Sequence, residues 1–277
     1  MVPRFAGLLL IVSAVLTGSV SSTRASDSAG NDGKMTIQEL REAREKAKWK
    51  DRPLINNNDG ETPRGEVTPE SFWAERSKRF EGTPMNTLFY CTGVYDNFTH
   101  ATETSSLFEY YREPLKRENV DPLWPQKLVL QGGDTLYWQT HFGHENGWEV
   151  FFSLRMNDIH DGYTQSWDNP LMSDWKRMHP QFLMGEPGDE FELGESNAWS
   201  AVNYAYPEVR RKTYMMLEEV CRERGIDGIE LDFLRSPPYF KESLEGKPVT
   251  AEHREMMNDL MREIREMTER EGMRRGR

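Results

Sequence analysis

From residue 36 onward the spacing of apolar and polar side chains predicts alternating helices and strands. "TIQELREAREKAKWK" reads as a charged helix whose apolar stripe is thin, so it belongs on the surface. "RPLINNND" reads as a short strand ending in polar residues near 55–59. "TPESFWAERSKRF" opens with Thr68 as a cap, Pro69 in the first turn and Glu70 behind it, which are helix-start signals. "MNTLFYCTGV" is the second strand. "PLWPQKLVLQGGDTLYWQTHFGHENG" is helical in places, with Gly132 and Gly133 as the interruption. "WEVFFSLRMND" is the third strand, and its continuous apolar start predicts burial on both faces.

The segment from about 157 to 205 is rich in Asp, Pro, Gly, Trp and His. Its aromatic residues between Tyr163 and Tyr204 predict a folded binding loop rather than disorder. "YPEVRRKTYMMLEEVCRERG" is a helix from Pro207 to the stop at Gly225, with Val209, Thr213, Met216, Leu217 and Val220 on one stripe. "IDGIELDFL" is the fourth strand. "TAEHREMMNDLMREIREMTEREG" is the last helix, with Met257, Leu260, Met261 and Ile264 on one face. Strands separated by single helices pair in parallel through right-handed crossovers. Four such units make half of a TIM-type (β/α)8 barrel. No fifth strand follows before "RRGR". The expectation is an α/β chain forming the N-terminal half of a longer barrel, or a half-barrel pairing with another copy. The alternative is a small open parallel sheet complete as it stands.

Hydrophobic content of 36% and aromatic content of 11% over 277 residues suffice for a sizeable core. Residues 1–25 have the form of a signal peptide: Arg4, the apolar run "FAGLLLIVSAVLTGSV", then small residues and "TRA" ending at Ala25. This predicts a secreted or periplasmic protein, free of the membrane once the signal is removed. Residues 26–50 read as a linker and the charged helix, and 51–277 as the half-barrel. The net charge is −11, and removal of residues 1–25, with Arg4 and Arg24 and no acid, lowers it by two. Such a chain is a poor match for a phosphate backbone, so nucleic acid is not an expected partner. Cys91 and Cys221 each lie in a predicted core element, which favours buried thiols over a disulfide. "NFT" at Asn97 is a formal glycosylation sequon.

The chemistry concentrates in "DGIELDFLRSPPYF". On a strand alternate side chains share a face. Ile229, Leu231 and Phe233 suit the layer under helices, which places Glu230 and Asp232 on the opposite face near the carboxyl end of the strand. Barrel active sites are built there. Two acids on one strand face repel, and holding one proton between them is what general acid catalysis needs. The bland reading is an ion-pair cluster in which the acids tie down Arg155 or Arg235.

"NYAYPEVRRKTYMMLEEVCRERGIDGIELDFLR" resembles the glycoside-hydrolase-like barrel proteins related to family 10 glycosylhydrolases. In these "NPEVR" opens the third helix and "DG(I/L)xxDxxR" forms the fourth strand. "RPLINNNDG" and "FFSLRMNDIHD" resemble the first and third strand ends of that group. The resemblance spans about residues 51–270 and implies a (β/α)8 fold and hydrolysis of a carbohydrate at Glu230 or Asp232. In the chitinase-like pattern DGxDxDxE the final acid would fall at Leu234, so this chain departs from it. Glycoside cleavage uses two carboxylates flanking the bond, often from different strands. The partner strand is absent here, so the isolated chain is expected to be inactive or to act as a non-catalytic carbohydrate-binding scaffold.

Around these acids the alternation of strand three puts Ser153, Arg155 and Asn157 on one face. Arg155 and Asn157 suit sugar hydroxyls. Asp158 and His160 fall in the loop above, and Arg235 follows the fourth strand. Asn57 and Asp59, at the end of the first strand, join the same rim. Tyr95, Trp167 and Trp175 offer flat faces to sugar rings. His141 and His144 are three apart on a doubtful helix, which is weak grounds for a zinc site. No metal and no cofactor are expected.

Overall fold

The computed structural model describes residues 35–60, 63, 65–107 and 124–276 of the chain. The expected signal at 1–25 and the linker at 26–34 lie outside these residues.

Helix α1, Ile37–Ala47, starts at a capping box made by Thr36 and Glu39. It is exposed apart from the buried Leu40 and the half-buried Arg44, as its thin apolar stripe implied. Strand β1 is Leu54–Asn58, helix α2 is Pro69–Arg76 capped by Thr68, and strand β2 is Met85–Cys91. Three two-residue strands follow: β3 at Gly93–Val94, β4 at Asn97–Phe98 and β5 at Ser106–Leu107. Helices α3, Trp124–Val129, and α4, Thr135–Glu145, are separated at Gly132–Gly133 as expected. Strand β6 is Glu149–Arg155 and the short helix α5 is Asp174–Met178. Helix α6 is Pro207–Glu223, strand β7 Gly228–Asp232, helix α7 Lys241–Leu244 and helix α8 Ala251–Arg275.

The fold is α/β, with a four-stranded sheet in the order β1-β2-β6-β7 and every pairing parallel. Sequential order with helical connections is what the strand–helix alternation predicted. The small sheet β3-β4-β5 was not predicted. It begins with a tight hairpin in which Asp96 takes a φ of 62°, a left-handed conformation that Asp tolerates better than most residues. Two-residue strands carry too little pattern to be read from sequence.

One face of the large sheet is the floor of the core. Leu88, Tyr90, Val150, Phe152 and Leu154 are at most 1% exposed. They share a cluster with Phe72 of α2, Leu136 of α4, Val209 and Leu217 of α6, and Leu260 and Ile264 of α8. Burying side chains of this size contributes roughly 1.5–3 kcal/mol each. The third strand departs from expectation in its first half. Glu149 and Phe151 are half-exposed while Val150 and Phe152 are buried, so burial there is one-sided. The apolar run misleads because Phe151 lies on the other face, against Phe89 of β2, with ring centroids 5.0 Å apart.

The segment 157–205 is folded, with 3-10 turns at His160–Gly162, Pro180–Phe182 and Ser196–Ser200 and a bridge between Leu183 and Val202. Trp199 is its buried centre, donating its indole N–H to the Gly162 carbonyl at 3.1 Å. Cys91 and Cys221 are buried free thiols. Among the described residues no helix is long and apolar enough to cross a membrane. The sequon asparagine, Asn97, is 2% exposed and donates its amide to the Leu171 carbonyl at 2.9 Å.

Candidate functional site

Parallel register lays the non-core face of the sheet out in rows. Asn57, Phe89, Phe151 and Gly228 form one row. Cys91, Ser153 and Glu230 form the next, and Arg155 and Asp232 the one nearest the carboxyl ends of the strands. A Cβ at Gly228 would come within 2.4 Å of the Phe151 ring, so any larger residue there would have to displace that ring. The glycine before the acids thus suits the packing of the row below them.

Glu230 and Asp232 share this face, as the alternation predicted, and both are half-exposed. Asp232 Oδ1 accepts the Leu234 amide at 2.9 Å, and its carbonyl accepts the Met156 amide at 3.0 Å. Glu230 Oε2 is buried without a hydrogen-bond partner among the described residues. No ion pair reaches either carboxylate among the described residues. The ion-pair reading of these two acids therefore fails, and so does the idea that Arg155 ties them down.

Arg155 sits beside Asp232 in register but turns its guanidinium elsewhere. Nη2 donates to Asp59 Oδ1 and Nη1 to Asp158 Oδ2, each at 3.0 Å. Asp158 is fully buried. Its other oxygen, Oδ1, accepts from the His160 backbone amide at 2.9 Å and faces His160 Nδ1 at 2.7 Å. Burial pushes the Asp158 carboxyl up, but the His160 hydrogen bonds and the charge of Arg155 outweigh it and hold the pKa below the ordinary value. Arg235 Nη2 lies 3.2 Å from His160 Nε2. An arginine can only donate, so Nε2 accepts and the ring proton sits on Nδ1, facing Asp158. Asp59, Arg155, Asp158, His160 and Arg235 thus form one connected chain across the carboxyl ends of β1, β6 and β7. Sequence alternation had grouped these residues without their bonds, because Asp59 and Arg155 are 96 positions apart.

Two sequence candidates are structural. Asn157 is fully buried and clamps two loops, donating to the Val202 and Pro238 carbonyls at 3.1 and 3.2 Å and accepting from the Val202 amide at 3.0 Å. Its amide is spent on the backbone, so it offers nothing to a sugar. Tyr95 is also fully buried, its hydroxyl 3.0 Å from Thr213 Oγ1. Asn57 and Asp59 border a cleft of about 270 Å3 with Arg76 and Arg79. Trp167 packs edge-on against Trp199, and Trp175 stacks on Phe182. His144 pairs with Asp227 at 2.8 Å rather than with His141, and the described residues hold no cluster suited to a metal.

Sequence reasoning missed what holds the loop and what surrounds it. Asp161 and Lys176, both without exposed side-chain surface, pair at 2.6 Å, and Ser200 Oγ donates to the same carboxylate. That pair fixes the turn carrying His160; a buried lysine cannot be told from a surface one by spacing. A cleft of about 460 Å3 opens beside the turn, lined by His160, Tyr163, Glu195, Arg235 and Ser236 among others.

No protein-family description matches the chain, and no curated protein does. Among solved structures the chain is similar to alpha-L-fucosidase isoenzyme 2 from Paenibacillus thiaminolyticus, at 16% identity and a TM-score of 0.48, covering 79% of this chain and 31% of that one. It is also similar to the galactosidase domain of the alpha-galactosidase-sucrose kinase AgaSK, at 18% and 0.45, covering 78% and 25%. A third is the GH36 alpha-galactosidase AgaA from Geobacillus stearothermophilus, at 14% and 0.44, covering 79% and 27%. The chain spans about a third or less of the length of these structures, each named a fucosidase or a galactosidase.

Proposed function

We propose that this chain supplies the first half of a TIM-type barrel related to family 10 glycosylhydrolases, and that the carboxyl rim of its sheet takes a carbohydrate and hydrolyses a glycosidic bond. The carrying observation is the pair Glu230 and Asp232, co-facial at the end of β7, with no ion pair and with one buried oxygen of Glu230 unpartnered among the described residues. A buried polar atom that the chain leaves unsatisfied is a place for a ligand's donor, and a sugar hydroxyl is one. In this reading Asp232 is the general acid or base, Glu230 binds or assists, and the Asp59–Arg155–Asp158–His160–Arg235 chain shapes the rim. The apolar opening of residues 1–25 supports an exported protein, and the two outer strands support completion of the barrel by a further half or a second copy. A non-catalytic carbohydrate-binding role is the second reading. It is favoured by both acids standing two residues apart on one strand, roughly 6.6 Å between Cα atoms, whereas a cleaved bond has to be flanked.

The test is release of reducing ends from a panel of oligosaccharides and aryl glycosides, with Asp232→Asn and Glu230→Gln alongside. Loss of about 10²-fold or more in kcat for Asp232→Asn is expected. Binding without turnover in the unaltered protein selects the second reading. Unchanged turnover in both variants, or neither binding nor turnover, overturns the assignment.

A further inference from the structure

We infer that the cleft beside His160 recognises an oxyanion carried by the sugar, a carboxylate or a sulfate ester, with Arg235 as its principal donor. This rests on the carbohydrate reading of the rim. Arg235 follows β7 by three residues, its side chain about a third exposed. Its one hydrogen bond among the described residues is to His160 Nε2, at 3.2 Å. The nearest acid, Asp158, is 4.0 Å from Nε of Arg235, beyond hydrogen-bond reach, and both oxygens of Asp158 are engaged by Arg155 and His160. Glu195 lines the same cleft and forms no ion pair with Arg235 among the described residues. A guanidinium carries five donors in a planar fork that matches an oxyanion in two-point contact. Here Arg235 lines a cleft of about 460 Å3, and apart from the contact with His160 its guanidinium makes no hydrogen bond among the described residues.

Arg155 bonds both Asp59 and Asp158 at 3.0 Å, while Arg235 stands off Asp158 at 4.0 Å. Arg235 is therefore a partly exposed guanidinium whose carboxylate neighbour is already engaged, in a cleft that it shares with Glu195. Glu230 and Asp232 lie five and three residues before it on β7, so the proposed anion site belongs to the same rim as the proposed reacting carboxylates. The anion would be fixed through the rigid Asp158–His160 turn, which the buried Asp161–Lys176 pair supports.

The experiment is calorimetric titration of the full chain with matched neutral, uronate-containing and O-sulfated oligosaccharides, for the unaltered protein, Arg235→Ala and Arg235→Lys. The expected result is a preference of tenfold or more for one anionic series, lost in Arg235→Ala and partly kept in Arg235→Lys; which series is preferred separates carboxylate from sulfate. A second arm follows the His160 ring signals by NMR while acetate and sulfate ions alone are added. Arg235-dependent shifts in this arm, with no oligosaccharide bound, leave the anion site standing and remove the carbohydrate reading. Equal binding of neutral and anionic sugars, unaffected by Arg235→Ala, overturns the anion site and leaves the carbohydrate reading in place. Absence of both a preference and ion-dependent shifts overturns it as well. Far-ultraviolet dichroism and melting of both variants separate lost binding from lost folding.

Discussion

His100 shows how burial, as the largest cause, sets a pH response. Its ring is 1% exposed, stacked on Phe98 at 4.9 Å and edge-on to Phe152 at 5.5 Å, with Nδ1 2.7 Å from Thr92 Oγ1. Burial penalises the imidazolium and pushes the pKa down to about 4. The unfolded chain takes up that proton near pH 6.5. The stabilisation is therefore complete above pH 6.5 and is lost as pH falls from 6.5 to 4, by up to about 3 kcal/mol. Denaturant melts across this range should show the loss, and His100→Phe should flatten it; an unchanged slope in the variant would assign the effect to other groups. Arg155 makes a different case. It is 8% exposed and bridges two carboxylates, one of them fully buried. Arg155→Met leaves Asp158 buried with His160 and only the more distant Arg235, a loss expected to cost about 3–5 kcal/mol. Arg155→Lys should recover part of it, because one ammonium cannot reproduce the two-point geometry. A cost below 1 kcal/mol for Arg155→Met would mean that Asp158 finds another partner.

The long segment after β6 is held at its two ends by one side chain. Asn157 ties the start of the segment to Val202 near its close and to Pro238 beyond β7. Asn157→Ala should destabilise the protein by roughly 2–4 kcal/mol, since three backbone groups lose a buried partner. Limited proteolysis should then cut first between 157 and 205; cleavage elsewhere, at an unchanged rate within the segment, would show that the loop is held by packing around Trp199 instead. This is also where sequence reading reached its limit. The strands and long helices were legible because their patterns are local: Val209, Thr213, Met216, Leu217 and Val220 were expected on one stripe of α6 and all are at most 1% exposed. Alternation likewise put Glu230 and Asp232 on the face away from the helices. Asn157 was misread as a ligand contact because alternation gives a face, not a partner, and its partners lie 45 and 81 positions away. Tyr95 was misread for a related reason: an aromatic in a loop after a strand looks available until the hairpin β3–β4 turns it into the core.

At the scale of the molecule the large sheet has two outer strands, β1 and β7, among the described residues. Unpaired strand edges are templates for association. Leu54 and Ile55 of β1 are 40% and 44% exposed, and every residue of β7 is half-exposed. Helix α8 contributes less to this than its sequence suggested. Leu260 and Ile264 are buried in the core, and only Met257 and Met261 of the expected stripe remain half-exposed. Residues 26–277 produced alone are therefore expected to self-associate through the sheet edges and the half-exposed face carrying Phe89 and Phe151, rather than through α8. Light scattering after size separation, over a range of protein concentrations, should give a mass that rises with concentration. Ile55→Lys places a charge on the β1 edge and should shift the population toward monomer, while Met257→Lys on α8 should change it little. A monomer at all concentrations that unfolds in one cooperative transition would contradict this expectation. It would show that four parallel strands and their helices form a complete domain, and the barrel proposed above would then have to be given up together with its missing half.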